Sequence, residues 1–222
     1  GIEFSTEYQG RDIHIVGLYI DHHCKTFLEQ ITVFQYSRVN RNIKMCNNLA
    51  EAGIDITYDK LIKEFPDSVI TRSHYAKYLL AHGYIRNLKE AFDRYIGDRC
   101  KYFVPREKIT PAQAVRLILD CNGIPVLAHP VLYHMSNANL EQMVCELKAA
   151  GLIGIEAVYS TYAPAEEREM KRLAARHSLC ISGGSDFHGN AKPGLDLATG
   201  YGKLFIPEEI LTHLMERKAY VL

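Results

Sequence analysis

Residues 124–130 read Ile-Pro-Val-Leu-Ala-His-Pro, a short apolar run ended by a histidine and sealed by a proline. Its neighbours decide what it is. Upstream, Thr110-Pro111-Ala112-Gln113 is a capping box with proline at the first helical position. Val115, Ile118 and Leu119 then supply the buried face of a helix that should stop near Gly123. Downstream, a second helix is expected over 137–150, with Leu140, Met143, Val144 and Leu147 on one face and Gly151 closing it. Residues 124–130 are therefore a buried strand between two helices. The alternation continues with a strand at 153–159 (IGIEAVY), a helix from Pro164 carrying Met170, Leu173 and Ala174, and a strand at 179–184 (LCISGG). KLFIP at 203–207 is expected as one more strand, and 207–218 as a final helix. Strand and helix in turn are the mark of parallel β/α units, and near-continuous apolar strands suit a sheet covered on both faces.

Residues 24–109 behave differently. Helical stretches around 26–52, 58–65, 72–82 and 87–96 are separated by Gly53, Pro66 and Gly83, with little strand signal. This block reads as a helical insertion, residues 24–109, into a β/α body formed by 1–23 and 110–222. The chain of 222 residues is long enough for such a body. Lys and Arg together number 26, as do Asp and Glu, so no global basic field advertises nucleic acid or an anionic membrane. No apolar run approaches the length of a membrane span. Six scattered cysteines with no C-x-x-C pair read as reduced thiols, and hence as a cytoplasmic chain.

The polar residues fall in informative places. In α/β folds, groups that do chemistry collect at the carboxyl ends of strands. His129 ends one strand, and Asp186 and His188 end another, two residues apart, so that an extended backbone would aim both to one side. Glu3 stands alone in the apolar opening GIEFS, near the end of a strand, and His14 lies inside the next, IHIVGLYI. Carboxylate and imidazole without thiolate suit zinc, manganese or iron, and a bridging carboxylate suits more than one ion.

Taken together, G-I-E-F-S-T, D-I-H-I-V-G, V-L-A-H-P and G-S-D-F-H-G resemble the PHP (polymerase and histidinol phosphatase) family. The similarity is greatest to its bacterial metal-dependent phosphoesterases, a branch of nucleotide phosphatases and exoribonucleases. It extends through the insertion, in TRSHYAKYLLAHGY, AFDRYIGDRCKYFVP and ITPAQAVRLI. The resemblance implies a distorted (β/α)7 barrel holding two or three divalent metal ions. Glu3 would bridge two ions, His14 and His129 would be imidazole ligands, and Asp186 and His188 would complete the set. A metal-bound hydroxide would attack phosphorus in nucleotides or short RNA, so that no side-chain nucleophile is required. Arg72 and His74 would contact phosphate or a leaving group, with Lys101 beside them and Tyr102, Arg106 and Lys192 as further contacts.

The family's H-x-H motif and its aspartate–histidine pair, which stand upstream of the G-x-E segment, are not in this sequence. The expectation is thus an incomplete barrel whose first strands are missing. It should hold fewer ions, be weakly active or inactive by itself, and self-associate through its exposed edges. Two other readings compete: an amidohydrolase-like metal hydrolase acting on C–N bonds, and a non-catalytic interaction module.

Overall fold

The computed structural model describes residues 1–105, 108–189 and 192–221. The chain divides into two compact units, one of residues 1–28 with 108–222 and one of residues 29–107.

The first unit is built on a five-stranded sheet in the order β1-β2-β3-β4-β5. The strands are β1 Ile2–Tyr8, β2 Arg11–Leu18, β3 Ile124–Leu127, β4 Gly154–Tyr159 and β5 Cys180–Gly184. β1 pairs antiparallel with β2 and β2 antiparallel with β3. From β3 onward the pairing is parallel. The parallel half is the part that the strand–helix alternation indicates. The antiparallel half arises because Gln9 and Gly10, both at positive φ, turn the chain back on itself between β1 and β2. Among the described residues β1 and β5 have no strand beyond them, so the sheet is open. KLFIP makes no strand: residues 204–207 run irregularly into the last helix.

Helices pack on this frame as the sequence dictates. Those of this unit's β/α portion are α5 Pro111–Asp120, α6 Asn137–Ala150, α7 Pro164–Arg176 and α8 Glu208–Val221, with α1–α4 preceding them in the chain. α5 opens with a reciprocal cap, Gln113 donating its backbone N–H to Thr110 Oγ1 at 3.2 Å and Thr110 its own to Gln113 Oε1 at 2.8 Å. α6 ends on Gly151 at φ 107°, a conformation that costs glycine little and other residues much. Ile124, Val126, Ile153, Val158, Ile210 and Leu214 form a buried cluster between the sheet and α8.

The thiol expectation fails at one pair. Cys24, just before α1, and Cys121, the C-cap of α5, form a disulfide with their Cα atoms 5.5 Å apart. Asp21 N–H donates to the Cys121 carbonyl at 2.9 Å and holds the two segments together. A separation of 97 residues hides such a pairing from any reading of spacing. Cys46, Cys100, Cys145 and Cys180 are free.

The second unit is helical. α1 Lys25–Glu51 enters it, followed by α2 Tyr58–Glu64, α3 Arg72–Ala81 and α4 Leu88–Ala91, which continues as a π-helical turn over Phe92–Ile96. Its core has Met45, Leu49, Leu61, Tyr75, Leu79 and Ile96 fully buried. Among the described residues no helix is long and apolar enough to cross a membrane.

Candidate metal centre

Strand geometry brings the first two polar groups together. In the β1–β2 ladder Ser5 faces His14, and Glu3 lies two residues along on the same face. The opposite face is committed to the interior through Phe4, Thr6, Ile13 and Ile15. Glu3 and His14 are thus on one side by the two-residue period of the strands. Glu3 Oε1 stands 2.8 Å from His14 Nδ1 and 3.2 Å from His129 Nε2. Glu3 is the second residue of β1, so it lies at the strand's start and not near its end.

His129 arrives from a different element. β3 stops at Leu127, and His129 adopts φ 28° and ψ 53° before Pro130. Its ring centroid is 5.1 Å from that of His14. Tyr133 ties the neighbourhood, accepting His14 N–H at 3.0 Å and donating to the Ala128 carbonyl at 2.5 Å. His129 Nδ1 is buried without a hydrogen-bond partner among the described residues, which costs about 1–3 kcal/mol if nothing else satisfies it.

Asp186 and His188 follow β5, which ends at Gly184. They do not share a side through an extended backbone. Asp186 has φ 57°, and the turn brings His188 Nδ1 to 3.0 Å from Asp186 Oδ1. Tyr159 donates to Asp186 Oδ2 at 2.5 Å, and Lys192 Nζ forms an ion pair with the same oxygen.

Donor atoms of Glu3, His14 and His129 lie within 4.8 Å of one another, and so do those of Glu3, Asp186 and His188. Glu3 is common to both groups. The five side chains, widely spaced along the chain, therefore form two overlapping oxygen–nitrogen donor sets. That chemistry fits divalent zinc, manganese or iron, and the orphaned Nδ1 of His129 fits a centre with capacity for a further ligand.

The electrostatics agree. Hydrogen bonds from His129 and then His14 hold the Glu3 carboxyl well below the usual carboxylate range. At His129 burial opposes the charged ring, but the hydrogen bond to Glu3 and the fields of Glu156 and Glu3 outweigh it and raise the pKa. Glu156 is the group that sequence reasoning missed. Burial pushes its pKa up to about 7 against the opposing hydrogen bond from His129 N–H. The signal was available: a single carboxylate inside the apolar strand IGIEAVY is the same oddity that Glu3 presents in GIEFS.

The expected substrate residues lie in the second unit. Arg72 forms an ion pair with Asp98 at 2.5 Å and lies 5.2 Å from the centroid of the Phe103 ring. His74 Nδ1 accepts the Thr71 N–H at 3.0 Å and so caps α3. Lys101 lies over the Tyr102 ring at 5.7 Å. Arg106 falls outside the described residues.

Fold and donors together give a mixed α/β body with two overlapping candidate sites for a divalent metal. No family model matches the chain. Relatives identify it more closely. It is 35% identical over 191 residues to a 5'-3' exoribonuclease of Haemophilus influenzae, covering 85% of this chain and 68% of that protein. It is 29% identical to a 3',5'-nucleoside bisphosphate phosphatase of Chromobacterium violaceum, over 89% of this chain and 70% of the relative. A solved structure from Chromobacterium violaceum, described as an amidohydrolase with bound sulfate and no metal, superposes with a TM-score of 0.75 at 28% identity. It spans 97% of this chain and 75% of the other. The chain belongs to the PHP-like family of phosphoesterases that includes the exoribonuclease and the bisphosphate phosphatase.

Proposed function

We propose that this chain is the body of a metal-dependent phosphoesterase that hydrolyses phosphate esters of nucleotides or short RNA. The observation that carries the reading is Glu3, which one carboxylate places in both donor groups. A shared carboxylate between two cations is the arrangement that suits in-line displacement at phosphorus. His14 and His129 complete one group, and Asp186 with His188 the other. Bound there, divalent ions supply an activated water and neutralise the phosphoryl oxygens.

The protein's own residues do the rest. Glu3, kept ionised by two imidazoles, orients both rings. Tyr159 and Lys192 restrain the Asp186 carboxylate. Arg72, with its planar fork of donors, is the proposed phosphate contact in the second unit, with His74 two residues on and Lys101 in a later loop as further contacts. The open edges at β1 and β5 are where further strands would close the sheet into a distorted (β/α)7 barrel. They are also where two copies would associate when it stays open.

The test is hydrolysis of an aryl phosphate and of a 5'-phosphorylated short RNA with added Mn²⁺, set against amide and lactone substrates. Phosphate release that chelation abolishes is expected. Amide or lactone turnover exceeding phosphate release would instead make this a C–N or lactone hydrolase. No turnover of any substrate, with no metal bound, would leave a non-catalytic module.

A further inference from the structure

Glu156 belongs to neither donor group, yet it is tied to the centre through His129. It keeps some accessible surface, but its carboxylate is enclosed by protein. Oε2 accepts the backbone N–H of His129 at 2.8 Å. That N–H has no strand to bond, because β3 ends at Leu127. Without Glu156 a buried donor would be left unsatisfied. His129 also holds φ 28°, a left-handed conformation that an L residue adopts at a cost of roughly 1–2 kcal/mol. Such backbone persists where its surroundings over-determine it.

The other end of the carboxylate is accommodated as specifically. A Cβ at Gly184, the last residue of β5, would lie 2.5 Å from Glu156 Oε1, so any larger residue there would have to displace the carboxylate. The β4–β5 ladder shifts register between Glu156 and Val158, beside this point. Three parts of the sheet thus converge on one side chain: β4 supplies it, β5 makes space for it, and the segment after β3 donates a hydrogen bond to it.

We propose that Glu156 is the positioning residue of the centre: by accepting the His129 N–H it holds the backbone turn that directs the His129 imidazole toward Glu3 and His14. It touches no substrate and acts through His129. This rests on the reading of His129 as a metal donor, and it explains why a carboxylate is kept in an otherwise apolar strand.

The decisive experiment uses the intact chain without metal first, then with Mn²⁺ alone. In NMR of the metal-free protein, slow exchange of the His129 amide and a nuclear Overhauser contact between the His14 and His129 rings are expected for wild type. Both should persist in Glu156→Gln, which keeps a carbonyl acceptor, and vanish in Glu156→Leu. Calorimetric titration with Mn²⁺ should show affinity reduced about 10–100-fold in Glu156→Leu. In Glu156→Gln the loss should stay within about threefold. Gly184→Ala, which displaces the carboxylate without altering it, should reproduce the Leu phenotype and serves if the Leu variant does not fold. Retention of the amide protection and the ring contact in Glu156→Leu would overturn the proposal, as would a Gln variant as defective as the Leu variant. Should the wild type bind no Mn²⁺, the metal reading fails, while the metal-free spectra still decide the role of Glu156.

Discussion

The two units solve the problem of polar groups in opposite ways. In the helical unit ion pairs lie at the surface, and some are local: Lys89 with Asp93, Arg94 with Glu90, each one helical turn apart. Its interior is apolar apart from Asn42, and its helix starts are capped by neighbours such as Thr57 and Asn87. In the sheet unit, polar side chains from positions 3, 14, 129, 156, 186 and 188 meet across long stretches of chain. They leave a buried nitrogen unpaired, a carboxyl with a pKa of about 7, and non-glycine residues at positive φ. One unit has isolated cases of the same kind, Asn42 Oδ1 buried without a partner among the described residues and Asp67 at positive φ, but among the described residues it gathers no cluster of metal-donor side chains. The other retains strain and orphaned groups, and that residue of unsatisfied chemistry is where function is to be sought.

The largest test of this contrast lies in the helical unit. Leu79→Ala empties a fully buried site in its core and should cost about 2–5 kcal/mol in urea denaturation. Mn²⁺ affinity measured in native buffer should be unchanged; a parallel loss would show that the units do not separate as described. Next comes Glu3→Gln, which removes the shared carboxylate. Mn²⁺ affinity should fall on the order of 100-fold, about 2.7 kcal/mol, by calorimetric titration. The metal-free unfolding midpoint should hardly move, because the half-exposed Glu3 is a ligand before it is a structural residue. A variant that unfolds without losing affinity would reverse that assignment.

Smaller effects sharpen the same line. Thr110→Ala deletes the cap of α5 and should lower the stability of the sheet unit by about 1 kcal/mol, read by thermal denaturation, with metal binding intact. Lys89→Ala breaks an exposed pair in the helical unit and should shift no measured midpoint beyond error.

Much of this was legible in the sequence because it depends on local rules. The cap at Thr110, the stop at Gly151 and the 3.6-residue stripes gave α5 to α7 nearly to the residue. The donor residues were legible too, as polar side chains at strand ends or alone in apolar runs. What failed was non-local. Whether β1 and β2 run antiparallel depends on a two-residue turn whose flanking strands look like any others. The KLFIP segment has strand-like composition, yet among the described residues it pairs with no strand, its Leu204 and Ile206 packing against the buried cluster instead. The disulfide of Cys24 and Cys121 and the left-handed turns at His129 and Asp186 depend on the assembled fold. The role of Glu156 needed coordinates, since its partner is a backbone N–H 27 residues away.

The central claim is that one carboxylate, Glu3, stands between two cation sites. Anomalous scattering from crystals of the chain soaked in Mn²⁺ addresses it without any assay. The account predicts density within coordinating distance of Glu3 on the His14–His129 side, on the Asp186–His188 side, or on both. Crystals at full Mn²⁺ occupancy elsewhere, with Glu3 merely hydrogen-bonded to its two histidines, would contradict it.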